Sequence, residues 1–236
     1  MYKLEVLNEL YCKAEGSGIL FAKKGSMVAD MGNFNYSKRL LGTNKGSTFN
    51  KLINHVARKF TGENLEIMEV SGGGVIYLAD DSSHIAVITL ENRGAFNSIY
   101  VESENILAFT EQCHYGVKTI PMGTISQKGL FTSKLTYEGE GAQVAIKTNG
   151  NPLILMCEGE PITVDPDALV AWTGKNPVVD FNMDWKSVIG QTSGESYFFK
   201  FTEPGQYVII QPQERKGGIS LNDKSKPSYN IFNGIS

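Results

Sequence analysis

Ile99-Tyr100-Val101-Glu102-Ser103-Glu104-Asn105-Ile106-Leu107-Ala108-Phe109-Thr110 aligns without a gap on Ile162-Thr163-Val164-Asp165-Pro166-Asp167-Ala168-Leu169-Val170-Ala171-Trp172-Thr173. Ile, Val, Ala and Thr are identical at matched positions, acid meets acid twice, and Phe109 falls on Trp172. Each copy reads as strand, turn, strand. Pro166 fixes its own φ, and the carboxylates of Asp165 and Asp167 can accept hydrogen bonds from neighbouring backbone N–H groups; Glu102-Ser103-Glu104 does the same less rigidly. In the returning strand, small Ala171 leaves room beside the bulky Trp172. Two acids in such a pattern could also form a general acid/base pair or a metal site, but neither copy has a His or Cys beside them, which favours the turn.

Outward from these segments, Gly72-Gly73-Gly74-Val75 precedes the first copy and Gly139-Glu140-Gly141-Ala142-Gln143-Val144 precedes the second. A weaker third copy opens the chain at Gly16-Ser17-Gly18-Ile19-Leu20-Phe21-Ala22. The spacing of about 63 to 67 residues exceeds the ~20–50 of a solenoid, so units packed about a pseudo-axis are expected. The units fall at about 10–80, 72–135 and 136–215, forming one domain over 1–215, with a polar C-terminal tail at 216–236.

Short β-branched runs bounded by turn formers recur: Val75–Leu78, Ile85–Leu90, Leu153–Met156 and Tyr207–Ile210. The expected fold is all-β, a jelly-roll or double-stranded β-helix-like sandwich, because half-buried strands must cover one another's apolar faces. Gly72-Gly73-Gly74 reads as a turn or bulge between strands, since a phosphate loop would have to open a helix. One segment has helical period: Phe49, Leu52, Ile53, Val56 and Phe60 recur at spacings of three and four, between a capping Ser47 or Thr48 and Gly62. This short helix reads as a lid on the β core. Lys51, Arg58 and Lys59 on its wetter side form a candidate partner surface.

The 236 residues are 41% hydrophobic, enough for a substantial core, and the net charge is -3. That small net conceals +6 over residues 1–60, -10 over 61–170 and +1 over 171–236. Such asymmetry can steer an anionic partner toward the basic beginning, although no basic cluster is dense enough for a nucleic-acid patch. No apolar run approaches the ~18 residues of a membrane span, and the first residues alternate rather than form the apolar stretch of a signal peptide. Cys12, Cys113 and Cys157 cannot all pair and have no C-x-x-C spacing, so a reduced cytoplasm is expected.

His55, His84 and His114 are scattered, and no His-x-His of a cupin-type metal site exists. Cys113 and His114, adjacent in a strand, point to opposite faces. No Gly-x-Ser-x-Gly frame surrounds Ser26. No catalytic, cofactor or metal constellation emerges, and none is expected.

Gly25-Ser26-Met27-Val28, Gly72-Gly73-Gly74-Val75-Ile76-Tyr77-Leu78-Ala79, the run Val164–Trp172 and Glu203-Pro204-Gly205-Gln206-Tyr207-Val208-Ile209-Ile210-Gln211 together resemble the TRAP-like family, which includes the altered inheritance of mitochondria 24 proteins. The resemblance spans roughly residues 10–215. It implies related jelly-roll β units, bacterial relatives, and no established enzymatic activity; mitochondrial relatives are linked to inner-membrane organisation. The expectation is therefore a non-enzymatic cytoplasmic scaffold or binding protein that self-associates, with an unknown protein partner and peripheral membrane association as a variant. An RNA-binding regulator is the first alternative, but the chain has no grouped basic and aromatic set for phosphates and bases. A small-molecule-binding protein or unrecognised enzyme is the second. Fold likeness alone does not carry function.

Overall fold

In a computed structural model of the protein, residues 1–39, 66–120, 130–180 and 197–212 are described. The helix expected over 47–60, with Lys51, Arg58 and Lys59, and the tail at 216–236 lie outside these residues. Sixteen strands follow the β-branched and aromatic runs: β1 (Lys3–Leu7), β2 (Tyr11–Lys23), β3 (Met27–Arg39), β4 (Ile67–Leu78), β5 (His84–Thr89), β6 (Ser98–Val101), β7 (Ile106–Thr110), β8 (Cys113–Ile120), β9 (Leu130–Tyr137), β10 (Gln143–Thr148), β11 (Leu153–Met156), β12 (Ile162–Val164), β13 (Leu169–Thr173), β14 (Val178–Asp180), β15 (Phe198–Phe201) and β16 (Tyr207–Ile210).

They form three antiparallel sheets in a sandwich-like, all-β arrangement. Sheet A runs β3-β4-β2-β7-β10-β5, with β1 also paired to β2; sheet B runs β11-β16-β13-β6-β9-β8; sheet C runs β12-β15-β14. Three buried clusters hold the sheets together. Ile67, Phe109 and Ile146 of sheet A meet Ile99, Val170 and Ile209 of sheet B. The opposite side of sheet A gathers Leu4, Leu20, Ile76 and Leu107. Tyr100, Trp172 and Val208 of sheet B meet Val164, Phe199 and Phe201 of sheet C.

The two aligned segments take the same path through this arrangement. Ile99–Thr110 runs through β6 in sheet B, a 3-10 turn at Ser103–Asn105, and β7 in sheet A. Ile162–Thr173 runs through β12 in sheet C, a turn at 166–168, and β13 in sheet B. Both returning strands are central and buried along their whole length, as strands covered on both faces must be. Their neighbours correspond too: β7-β10-β5 in sheet A parallels β13-β16-β11 in sheet B.

Ile106 and Phe109 face one layer while Leu107 and Ala108 face another; Leu169 and Trp172 divide from Val170 and Ala171 in the same way, one layer further along. The matched threonines explain themselves in this setting. Thr110 Oγ1 donates to Gly141 O (2.8 Å) and accepts the Gln143 N–H (3.0 Å), while Thr173 Oγ1 accepts the Tyr207 N–H (3.0 Å). Each anchors the entry of the strand that pairs next.

Two expectations need correction. Strands β2, β3 and β4 are 13, 13 and 12 residues long, not short. Gly72-Gly73-Gly74 is neither turn nor bulge, because it lies inside β4, in unbroken register with Gly16-Ser17-Gly18 of β2 and Gly32-Asn33-Phe34 of β3. Glycine in one strand is matched by glycine in its neighbours, so the row lets backbones approach closely instead of ending a strand.

Candidate functional site

Strand β11 stands out because it is an apolar run with exposed side chains at a sheet edge. Among the described residues it is the terminal strand of sheet B and pairs on one side only, with Leu153, Ile154, Leu155 and Met156 opposite Ile210, Ile209, Val208 and Tyr207 of β16. Leu153 is 54% exposed, Ile154 52% and Met156 41%. Both faces of the strand are thus open. An edge strand presents a row of backbone N–H and C=O groups, and edges are ordinarily guarded by charge, bulges or cover.

The other long edges carry such guards. Edge β3 contains Asp30, Lys38 and a bulge between Met27 and Ala29, and β8 contains His114 and Lys118. Strand β5, which holds in sheet A the place of β11 in sheet B, is tied at Ile85 N–H to Glu9 O (2.7 Å) and is mostly shielded. Strand β11 is short, four residues without a charge, and begins just after Pro152.

A second constellation joins three elements of sheet A. Asp80 Oδ2, just beyond β4, takes the ammonium of Lys23 from β2 at 2.5 Å and that of Lys147 from β10. All three side chains are largely shielded, at 27%, 20% and 18% exposed for Lys23, Asp80 and Lys147. Desolvation pushes the Asp80 carboxyl up, but hydrogen bonds and charge from Lys147 and Lys23 outweigh it and hold it below the usual carboxylate value. Burial alone would lower Lys147; Asp80 reverses this, and the charge of Glu104 adds to the rise. With Glu104 included, two cations face two anions, so the cluster is a neutral cross-brace and not an anion site.

Asp80→Asn is expected to destabilise the protein by about 1–2 kcal/mol at pH 7, leaving two shielded ammonium groups without their carboxylate. A carboxyl whose folded pKa is depressed contributes stability above its unfolded value near ~3.9 and loses it as pH falls through the lower folded value. The gap between wild type and Asp80→Asn in urea unfolding should therefore be full at pH 7 and shrink below about pH 4. A gap unchanged by acid would show that Asp80 does not act through its charge.

The residues singled out by sequence have structural positions. Asp165 Oδ1 accepts the Asp167 N–H (2.8 Å) and Asp165 O accepts the Ala168 N–H (3.1 Å), with Pro166 inside that turn. Trp172 is wholly buried and stacks on Tyr100, with ring centroids 5.2 Å apart and planes 9° from parallel. Burial pushes the thiol of Cys12 up to about 12 and that of Cys113 up to about 11, leaving both protonated and poor nucleophiles at neutral pH. Among the described residues no group of three or more His, Cys, Asp and Glu could hold a metal ion, and no helix is long and apolar enough to cross a membrane.

Neither the open edge nor the lysine brace is signalled in the sequence. The first looks like any core strand, and the second brings together residues 57 and 67 positions apart without a local motif.

A crystal structure of protein SPYM3_0169 from Streptococcus pyogenes is similar to this chain, with a TM-score of 0.63 and 18% identity over 91% of this chain and 94% of that one. At that identity the likeness shows the fold alone. No curated protein matches the sequence. The family described as mitochondrial biogenesis AIM24 matches residues 7–213, a span that holds β2 to β16 and the last residue of β1. A match over so much of the chain places it: the protein belongs to the AIM24 family.

Proposed function

We propose that this protein is a cytoplasmic scaffold or binding protein without catalytic activity, a TRAP-like jelly-roll member of its family that works through its surface as a homo-oligomer. The observation that carries this reading is the open, uncharged strand β11, with three large apolar side chains exposed on one short edge. Apolar side chains beside unpaired backbone groups favour association with another chain.

The charge pattern also weighs against an RNA ligand. Each of the five lysines in residues 1–39 is ion-paired with a carboxylate: Lys3 with Glu5, Lys13 with Glu15, Lys23 with Asp80, and Lys24 and Lys38 with Glu66. Phosphate recognition needs cations free to displace counterions, and at each of these lysines a carboxylate competes for the charge.

Light scattering on the full chain over a range of concentrations tests the reading. A mass at a multiple of 25.9 kDa is expected. A monomer at every concentration, together with RNA binding that falls steeply with salt, would replace the scaffold by the nucleic-acid alternative.

A further inference from the structure

We infer that strand β11 pairs antiparallel with β11 of a second copy of this chain about a two-fold axis, joining the two B sheets into one continuous sheet. The inference rests on the self-associating reading above and names the surface and geometry that would produce it. The repeat itself provides the comparison. In sheet A the corresponding strand, β5, is tied by its own chain through Ile85 N–H and Glu9 O. In sheet B the same place is held by β11, with Leu153 and Ile154 more than half exposed and no tie of that kind among the described residues.

A strand edge is satisfied most directly by another strand, whose backbone supplies the missing donors and acceptors whatever its side chains. The side chains then choose which strand. Leu-Ile-Leu-Met is apolar in both directions and flanked by Pro152 and Cys157, so its reversed copy sets apolar against apolar along the strand, as a two-fold interface requires.

The flanking charges select the direction. Beyond Met156 come Cys157-Glu158-Gly159-Glu160, and before Leu153 come Asn149-Gly150-Asn151-Pro152. A parallel pair would set Glu158 beside Glu158 and Glu160 beside Glu160. The antiparallel pair sets the acidic end of each copy beside the neutral Asn-Gly-Asn end of the other, which removes the repulsion. In a continuous antiparallel sheet opposed residues share a face, and a two-fold perpendicular to the sheet preserves faces. The axis therefore passes at Ile154 or Leu155, with Ile154 facing its own copy or Met156 of the partner.

Ile154→Lys tests this, since the side chain is exposed in the single chain and the strand should still form. Analytical ultracentrifugation of the full chain should show wild-type dimers and a dissociation constant raised by about tenfold or more in Ile154→Lys. Met156→Lys should act the same way. Val117→Lys, on the exposed part of edge strand β8, should leave association unchanged. Circular dichroism verifies that each variant is folded, and two independent substitutions on β11 guard against one that is not. A wild-type oligomer that ignores both β11 substitutions, or responds equally to Val117→Lys, overturns the pairing and leaves self-association standing. A wild-type monomer throughout overturns both.

Discussion

Trp172→Ala is expected to lower the unfolding free energy by about 3–5 kcal/mol, the largest loss of any single large-to-small change among the described residues. Trp172 is wholly buried where sheet B meets sheet C. Its ring stacks on Tyr100 of β6 at 5.2 Å and leans on Phe201 of β15 at 6.0 Å. Sheet C has three strands, of three, four and three residues, too few to form a core without sheet B. Removing the indole therefore opens a cavity and also withdraws apolar surface on which sheet C rests.

Trp172→Phe should cost clearly less. It reproduces what the repeat places at the matching position, Phe109, and indole Nε1 has no hydrogen-bond partner among the described residues to be lost. Urea unfolding followed by circular dichroism measures both. Equal losses for Ala and Phe would mean that the contribution of Trp172 is not packing volume. A loss for Ala below about 1 kcal/mol would mean that sheet C does not depend on this contact.

The same pair, Phe109 and Trp172, shows why so much of the fold was legible. A duplicated segment can be compared with itself, so the identical Ile, Val, Ala and Thr stood out without any relative, and each has an equivalent place in successive sheets. Thr110 and Thr173 each fasten the strand that pairs next, a role that demands a hydroxyl and so preserves one.

What was not legible depends on neighbours that a linear reading does not see. Leu153-Ile154-Leu155-Met156 has the same character as its partner Tyr207-Val208-Ile209-Ile210. One is open and the other central because, among the described residues, β16 has strands on both sides and β11 on one. Lys23, Asp80 and Lys147 lie at or just beyond the ends of β2, β4 and β10, and only the folded sheet brings them together. The glycines mislead for a related reason. Gly72-Gly73-Gly74 alone resembles a turn, and only the pairing with Gly16 and Gly32 makes it a strand.

Gly74→Ala is accordingly expected to cost about 2–4 kcal/mol, more than an ordinary glycine-to-alanine change in a strand. Gly74 sits at φ +139°, and a Cβ there would lie 2.2 Å from Met31 O, 2.8 Å from Gly32 Cα and 3.0 Å from the Phe34 ring. The nearest atoms are backbone of β3, so relief requires the two strands to separate or β4 to change its twist; no side-chain rotation suffices. Phe34 lies over the glycines of β3 and β4, covering the surface that their missing side chains leave bare, and a methyl group would lift that ring as well.

The neighbouring residue separates this cause from simple strand propensity. Gly73 has no left-handed φ, and its Cβ would meet Ser17 Cβ at 3.2 Å, a contact that a small shift relieves. Gly73→Ala should therefore cost about 1 kcal/mol or less, alanine's lower chain entropy offsetting the tight fit. Stability measured for both variants under one set of conditions decides the matter. Equal losses at the two positions would remove the close approach of β3 and β4 as the reason for the glycine row. A large loss confined to Gly74 would establish that the row exists to let three long strands pack backbone to backbone.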